Sequence, residues 1–364
     1  MYTERNYLMW LSSLMNINID IKLALIKSLG TAEAIWNASR NELLETKAIK
    51  GEKLEQLMES RYKYDMDGEL EKLYRSEAEF IVPDDPCYPS QLLLMNDQPL
   101  GLYVIGRLPD NVYPMVSIVG SRRISDYGAA VCNKIAGELA KAGVSIVSGM
   151  AMGIDAVAHK SAIDAGGNTV AVMGTGADVC YPAVNTNLYN EIKNRGCIIS
   201  EYPLGTRPYK ANFPYRNRII ACISRATLVI EAAEKSGSLI TANKAIENGR
   251  IVMAVPGNIT SSLSKGCNGL IRKGCVPITK TEDVMEELGI KMSERELKNS
   301  EKELIPLAKD EKMLYDCISY EPITADELTE KLNMDAGEVA CLLTMLELKG
   351  CVRRLSGQKV VRCL

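Results

Sequence analysis

Between Tyr202 and Ile230 the chain carries Arg207, Lys210, Arg216, Arg218 and Arg225 and not one Asp or Glu. Cations without local acids attract phosphate, and Lys210-Ala-Asn212-Phe213-Pro-Tyr-Arg216-Asn217-Arg218 sets an aromatic ring among them. That pairing holds single-stranded nucleic acid, by attraction to the backbone together with stacking of bases on the ring. Phe213 is one of only two phenylalanines in the chain. The alternative places Phe213 and Tyr215 in the core and has the arginines bind neighbouring carboxylates; the absence of local acids weighs against it.

Four glycine-containing segments offer backbone N–H groups to an anion: Gly120-Ser121-Arg122-Arg123, Ser148-Gly149-Met150-Ala151-Met152-Gly153, Gly174-Thr175-Gly176 and Ser236-Gly237-Ser238. Any one of them alone is no more than a tight turn. Together, at one edge of a sheet, they would form a phosphate-binding crevice. None reads GxGxxG, which favours mononucleotide or polynucleotide phosphate over a dinucleotide and predicts no bound cofactor.

Acid-base and metal chemistry are thinly provided for. Asp155 and His159 stand four apart, on one face of a helix, but His159 is the only histidine. No cysteine lies near it in sequence and no nucleophile accompanies it, so the pair reads as a brace beneath a loop and not as a catalytic or metal site. The eleven cysteines include no CxxC spacing, which suggests neither zinc nor a disulfide framework and fits a reducing cytoplasm. Near the N-terminus the apolar residues Leu8, Leu11, Leu14 and Met15 form only a short amphipathic stretch, too short for a membrane span. A net charge of −3 makes no general case for nucleic acid, so the case rests on charge gathered in one place.

The elements that must position these residues follow from apolar patterning. Residues 1–75 read as short helices, with Gly30 ending one and Ser39 and Glu42 opening another as a capping box. From 76 to 286, Val116 to Val119, Val144 to Val147, Val170 to Met173 and Leu228 to Ile230 are continuous apolar runs that alternate with helical stretches. They predict a doubly wound, mostly parallel α/β sheet of Rossmann-like type, covered on both faces. Residues 287–309 are charged and read as a helical extension and linker. From 310 to 364, Thr324 with Glu327 and Asp335 with Glu338 cap two helices, and two strands flank Ser356-Gly357, which predicts a winged helix.

The motifs Ile-Val-Gly120-Ser121-Arg122, Ser148-Gly149-Met-Ala-Met-Gly153-Ile-Asp155-Ala-Val-Ala-His159, Ser200-Glu201-Tyr202-Pro203, Phe213-Pro-Tyr-Arg216-Asn217-Arg218-Ile-Ile220, Ser236-Gly237-Ser238-Leu-Ile-Thr241-Ala242 and Ala254-Val-Pro256-Gly257 closely resemble those of the DNA-processing protein A (DprA/Smf) family. They run in consistent order from about 115 to 260. The flanks look like the family's N-terminal helical domain, of SAM or helix-hairpin-helix type, and its C-terminal winged helix. The resemblance implies a non-enzymatic, dimeric single-stranded DNA-binding protein that protects incoming DNA in natural transformation and helps load the RecA recombinase onto it. It further implies that Gly120 to Arg122 bind phosphate, that Lys210 is the key lysine, and that Phe213 meets the bases. The Arg216-Asn217-Arg218 and Ser236-Gly237-Ser238 loops would line the same pocket, and Arg122, Lys210, Arg216 and Arg218 would supply the cations.

Two other functions are weighed against this one. A nucleotide phosphoribohydrolase-like enzyme would need a Pro-Gly-Gly-x-Gly-Thr loop followed by a catalytic glutamate; here the loop reads Ser236-Gly-Ser-Leu-Ile-Thr241 and the next acid, Glu247, is too far along. A nucleotide-sensing winged-helix regulator would need a recognition helix fit for duplex DNA. The stretch Asp335 to Lys349 instead carries Asp335, Glu338 and Glu347, with no cation before its last residue.

Overall fold

The structure is a computed structural model and describes residues 2–111, 113–290, 307–319, 322–355 and 359–362. Six helices open the chain: α1 (Glu4–Ser13), α2 (Ile19–Leu29), α3 (Ala32–Asn37), α4 (Arg40–Glu45), α5 (Glu52–Lys63) and α6 (Met66–Arg75). Gly30 takes φ +91°, a conformation that disfavours a side chain, and ends α2. At the start of α4, Ser39 Oγ accepts the Glu42 N–H while the Glu42 carboxylate accepts the Ser39 N–H. Trp10, Leu25, Ile35, Leu43, Leu54 and Leu57 are buried together and give these helices a core of their own.

A nine-stranded sheet follows. Its strands are β1 (Ala78–Ile81), β2 (Leu102–Gly106), β3 (Met115–Val119), β4 (Ser145–Ser148), β5 (Thr169–Val172), β6 (Cys197–Ser200), β7 (Ala226–Val229), β8 (Ile251–Ala254) and β9 (Val276–Pro277). The order is β1-β2-β6-β5-β4-β3-β7-β8-β9. Neighbours from β6 through to β9 pair in parallel, and β1 and β2 extend one edge antiparallel. Every residue of β3, β4, β5 and β7 is buried, which is why these strands appear in the sequence as unbroken apolar runs with no alternation.

The connecting helices are α7 (Asp126–Lys141), α8 (Ile154–Asp164), α9 (Thr186–Arg195), α10 (Asn212–Ile223), α11 (Gly237–Glu247), α12 (Lys265–Arg272) and α13 (Thr281–Leu288). Ile135, Leu139, Ile154 and Val284 of α7, α8 and α13 pack with Val116, Ile146 and Leu228. The opposite sheet face, through Val119, Val147, Val170 and Val229, packs with Ile219 and Ile223 of α10, Ala242 of α11 and Leu270 of α12. Helices on both faces make this the doubly wound α/β fold that the patterning predicts.

At the C-terminus, helices Lys309–Cys317, Ala325–Leu332 and Ala336–Leu348 pack against β10 (Ile323–Thr324), β11 (Val352–Leu355) and β12 (Lys359–Arg362), a winged helix. Thr324 and Glu327 form the expected capping box. Asp335 differs: its carboxylate takes the Gly337 N–H at 2.8 Å and caps the helix without Glu338. Arg354 pairs with Glu347 at 3.2 Å and the Arg362 guanidinium stacks on Tyr315 at 4.0 Å, so two cations of the hairpin are engaged inside this unit. Most of the linker expected over 287–309 and the Ser356-Gly357 turn lie outside the described residues. Among the described residues no helix is long and apolar enough to cross a membrane, and no three His, Cys, Asp or Glu side chains are grouped to hold a metal.

Candidate nucleic-acid interface

From β3 the chain adds β4, β5 and β6 toward one edge, then returns to lay β7, β8 and β9 on the other side of β3. The loops leaving the carboxyl ends of β3 and β7 therefore part in opposite directions, and a crevice opens between them. A cleft of about 750 Å³ lies there, lined by Gly120 to Arg123, Lys210, Phe213, Arg216, Asn217 and Ser236 to Ser238. Gly174-Thr175-Gly176 is not part of its wall. In that segment the Gly176 N–H bonds the Thr206 carbonyl and the Thr175 hydroxyl bonds the Val179 carbonyl.

Close packing fixes the first loop. A Cβ on Gly120 would lie 2.5 Å from Ile154 Cγ1, and one on Gly153, where φ is +83°, would lie 2.2 Å from the Ser121 carbonyl oxygen. That oxygen accepts the Ile154 N–H at 3.1 Å and ties the loop after β3 to the start of α8. The Ser121 hydroxyl bonds within the loop, leaving the Ser121 and Arg122 N–H groups without a partner among the described residues. Across the cleft, Ser236 caps α11 by accepting the Ser238 N–H, and the Gly237 N–H has no partner among the described residues. Unpaired N–H groups on both walls, one set at the positive end of a helix, suit an anion.

Three cations at the cleft, Arg122, Arg123 and Lys210, are exposed and make no ion pair among the described residues. Arg216 and Arg218 behave otherwise, because Asn212 to Ile223 is a helix and not the loop expected from the sequence. Residues two apart on a helix point in opposed directions. Arg216 turns to the cleft floor, only 4% exposed, where its Nη1 donates to the Gly149 carbonyl at 3.0 Å and to the Val172 carbonyl. Burial lowers its pKa to about 10, against the pull of Asp155.

Arg218 turns away from the cleft and is 2% exposed. Its Nη2 meets both Glu201 oxygens at 2.6 Å, its Nε stands 3.4 Å from Asp97 Oδ2, and its guanidinium lies 4.2 Å from the Tyr215 ring centre. The carboxylates missing from the local sequence arrive from the end of β6 and from the loop before β2. The placement of Arg218 among the cleft cations is therefore corrected: for this residue the carboxylate-paired alternative is the one observed.

Asn212 is also displaced, its amide donating to the Gly174 carbonyl at 3.2 Å. Ser148 and Gly149 sit beneath the cleft: the Ser148 hydroxyl donates to the Ile118 carbonyl, and a Cβ on Gly149 would come within 2.8 Å of Arg216 Nη2. Asp155 does brace that loop. Its Oδ2 accepts the Gly149 N–H at 3.2 Å and the Ala151 N–H at 3.3 Å. Burial raises the carboxyl pKa, while the charge of Arg216 and the two N–H bonds pull it down. His159 is fully buried, with Nδ1 2.6 Å from the Thr169 hydroxyl.

Phe213 is half-buried on the cleft wall. It lies directly over Gly174, where a Cβ would be 2.8 Å from its ring, and 5.9 Å from the Arg216 guanidinium carbon. Tyr181, which no pattern in the sequence singles out, faces it with ring centres 5.2 Å apart and an interplanar angle of 38°. Tyr181 joins the cleft from a loop whose exposure is not written in residue type, while Arg123 belongs to the Gly120-Ser121-Arg122-Arg123 segment that the sequence does single out.

Comparison with known proteins agrees with this architecture. The model of the DNA recombination-mediator protein A family matches residues 79–289, and that of the DprA winged helix domain matches 298–358. Protein Smf of Synechocystis sp. is 34% identical, over 91% of this chain and 92% of its own. DNA processing protein DprA of Streptococcus pneumoniae is 44% identical, over 63% of this chain and 80% of its own. The X-ray structure of the S. pneumoniae protein superposes with a TM-score of 0.69 at 35% identity, covering 79% of this chain and 99% of that one. DNA processing protein A of Helicobacter pylori, whose structure addresses its single-stranded DNA binding mode, superposes with a TM-score of 0.52 at 29% identity, covering 58% of this chain and 97% of that one. With a family model matched over more than half its length and a relative 34% identical over 91% of the chain, the chain belongs to the DNA recombination-mediator protein A (DprA/Smf) family.

Proposed function

We propose that this protein binds single-stranded DNA in the switch-point cleft, protects incoming DNA and promotes loading of the RecA recombinase onto it in natural transformation and recombination. The observation that carries the reading is the conjunction in one cleft of three cations, Arg122, Arg123 and Lys210, with the ring of Phe213 and backbone N–H groups on both walls, the cations and N–H groups alike without a partner among the described residues. Phosphates rest against the Gly120-Ser121-Arg122 and Ser236-Gly237-Ser238 backbones, Lys210 and Arg122 supply charge, Asn217 lines the same wall, and a base stacks on Phe213. The buried Arg216 adds positive potential from below. Paired bases cannot splay onto the ring, so duplex binds far more weakly.

The protein acts in the cytoplasm as a homodimer, which sets two clefts in one particle and adds avidity along a strand. It binds and does not transform its ligand. Asp155, the carboxylate at the cleft, is held by two backbone N–H groups beside Arg216, an arrangement suited to bracing and not to proton transfer.

The test is fluorescence anisotropy of a labelled oligonucleotide, single-stranded and then duplexed, with the wild type beside Lys210→Ala and Phe213→Ala. Salt-sensitive binding of the single strand that both substitutions weaken is the expected result. A folded protein that ignores the single strand would overturn the reading, and release of free base from a nucleoside monophosphate would restore the enzyme alternative.

A further inference from the structure

The Tyr181–Asn185 segment, which follows β5 and turns back toward the cleft, is left without a role by single-strand binding on Phe213 alone. Tyr181 is 43% exposed although it lines the cleft, and its ring centre is 5.2 Å from that of Phe213. An interplanar angle of 38° is neither a parallel stack nor an edge-to-face contact, the two arrangements in which a pair of rings satisfies itself. Two rings inclined in this way form a wedge, and because they are already in contact at 5.2 Å it must open to admit a base.

Both sides of the wedge are anchored. Asn185 Nδ2 donates to the Met150 carbonyl at 2.9 Å and ties the Tyr181 segment to the loop after β4. Phe213 is seated on Gly174, with the Arg216 guanidinium 5.9 Å from its ring centre. The Tyr181 hydroxyl makes no hydrogen bond among the described residues, so the ring, not the hydroxyl, is what this side chain presents. Met152 and Val184 of the neighbouring loops are also exposed, 49% and 74%.

We infer that Tyr181 is a second stacking residue, which opens away from Phe213 to take one unpaired nucleobase between the two rings and draws the strand across the Tyr181–Asn185 segment; this rests on the single-strand reading of the cleft. The ligand moiety is the flat face of any base, because the wedge brings two π surfaces together and stacking is tolerant of base identity. Asn185 is the positioning residue for the ring.

The experiment is anisotropy titration of a labelled oligothymidylate with the full chain, comparing Tyr181→Ala, Tyr181→Leu, Tyr181→Phe and Phe213→Ala, each checked for an unchanged melting temperature. Tyr181→Ala and Tyr181→Leu should each weaken binding by about 5- to 150-fold, the range expected for one stacked base. Tyr181→Phe should bind as the wild type does, and the salt dependence should keep its slope in all three, since every cation facing a phosphate is retained. A single strand carrying 5-iododeoxyuridine should photocrosslink to Tyr181. Leu binding as tightly as Tyr would mean that the ring merely packs beside Phe213, and would overturn the inference. Wild-type affinity in Tyr181→Ala beside a loss in Phe213→Ala would overturn it too, while leaving the cleft intact. Indifference to both substitutions would instead remove the single-strand reading itself.

Discussion

A single nitrogen of Arg218, its Nη2, meets both carboxylate oxygens of Glu201 at 2.6 Å, and both residues are buried. Breaking such a pair strands a charge away from water. Arg218→Ala should therefore cost stability, about 3 to 5 kcal/mol, because Glu201 is left buried without its partner. Denaturant unfolding measures the loss. Affinity for a single strand in the fraction that remains folded should keep its salt slope; a flattened slope would return Arg218 to the cations that face phosphate.

Lys210 and Arg122 predict the opposite behaviour. Both are exposed and unpaired among the described residues, so their removal leaves no buried charge behind and stability should change by less than about 0.5 kcal/mol. Removing one cation from a phosphate should flatten the plot of log affinity against log salt by about 0.7. Titrations at several salt concentrations, with Lys210→Ala, Arg122→Ala and the double variant, would show whether the two add.

Two glycines separate shape from charge. At Gly237 an added Cβ meets nothing within 4 Å, and the residue opens α11, so Gly237→Ala should fold at least as well as the wild type. The methyl group would stand where an anion approaches the Gly237 N–H, and binding should fall. At Gly174 an added Cβ comes within 2.8 Å of the Phe213 ring. Gly174→Ala should push that ring aside and weaken single-strand binding without touching DNA. Unchanged affinity in both variants would argue that the strand takes another path.

What was legible in the sequence, and what was not, divides along physical lines. Burial on both faces writes itself as unbroken apolar runs, so β3, β4, β5 and β7 were readable to within a residue or two at most ends. Loops at the carboxyl edge followed from them. Strand order was not readable, and with it the fact that β3 and β7 are neighbours whose loops part to open one cleft. The error at Arg218 has a simpler source. Lys210 to Arg218 holds Pro214, which suggests a loop, yet Pro214 stands in the first turn of α10, where a helix tolerates it. Once Asn212 to Ile223 is a helix, Arg216 and Arg218 cannot both face the cleft, and Glu201 is free to claim the second. Tyr181 was missed because an exposed tyrosine and a buried one are spelled alike.

His159 offers a pH test with an unambiguous probe, since the chain has no other histidine. The Thr169 hydroxyl donates to the Ile146 carbonyl at 2.7 Å, so it accepts from His159 and the proton sits on Nδ1. Burial, with the nearby charge of Arg216, pushes the imidazole pKa down to about 3. The unfolded chain, with an ordinary value near 6.5, takes up a proton on this ring that the folded chain refuses. Stability from this residue is therefore complete above about pH 6.5 and drains away as pH falls from there toward 3. The single imidazole resonance in an NMR titration of the folded protein should stay at its neutral position at pH 5, where an exposed histidine is largely charged. A midpoint near 6.5 would mean that the ring reaches water, and that the loop from Ser148 to Gly153 rests on something other than a dry helix beneath it.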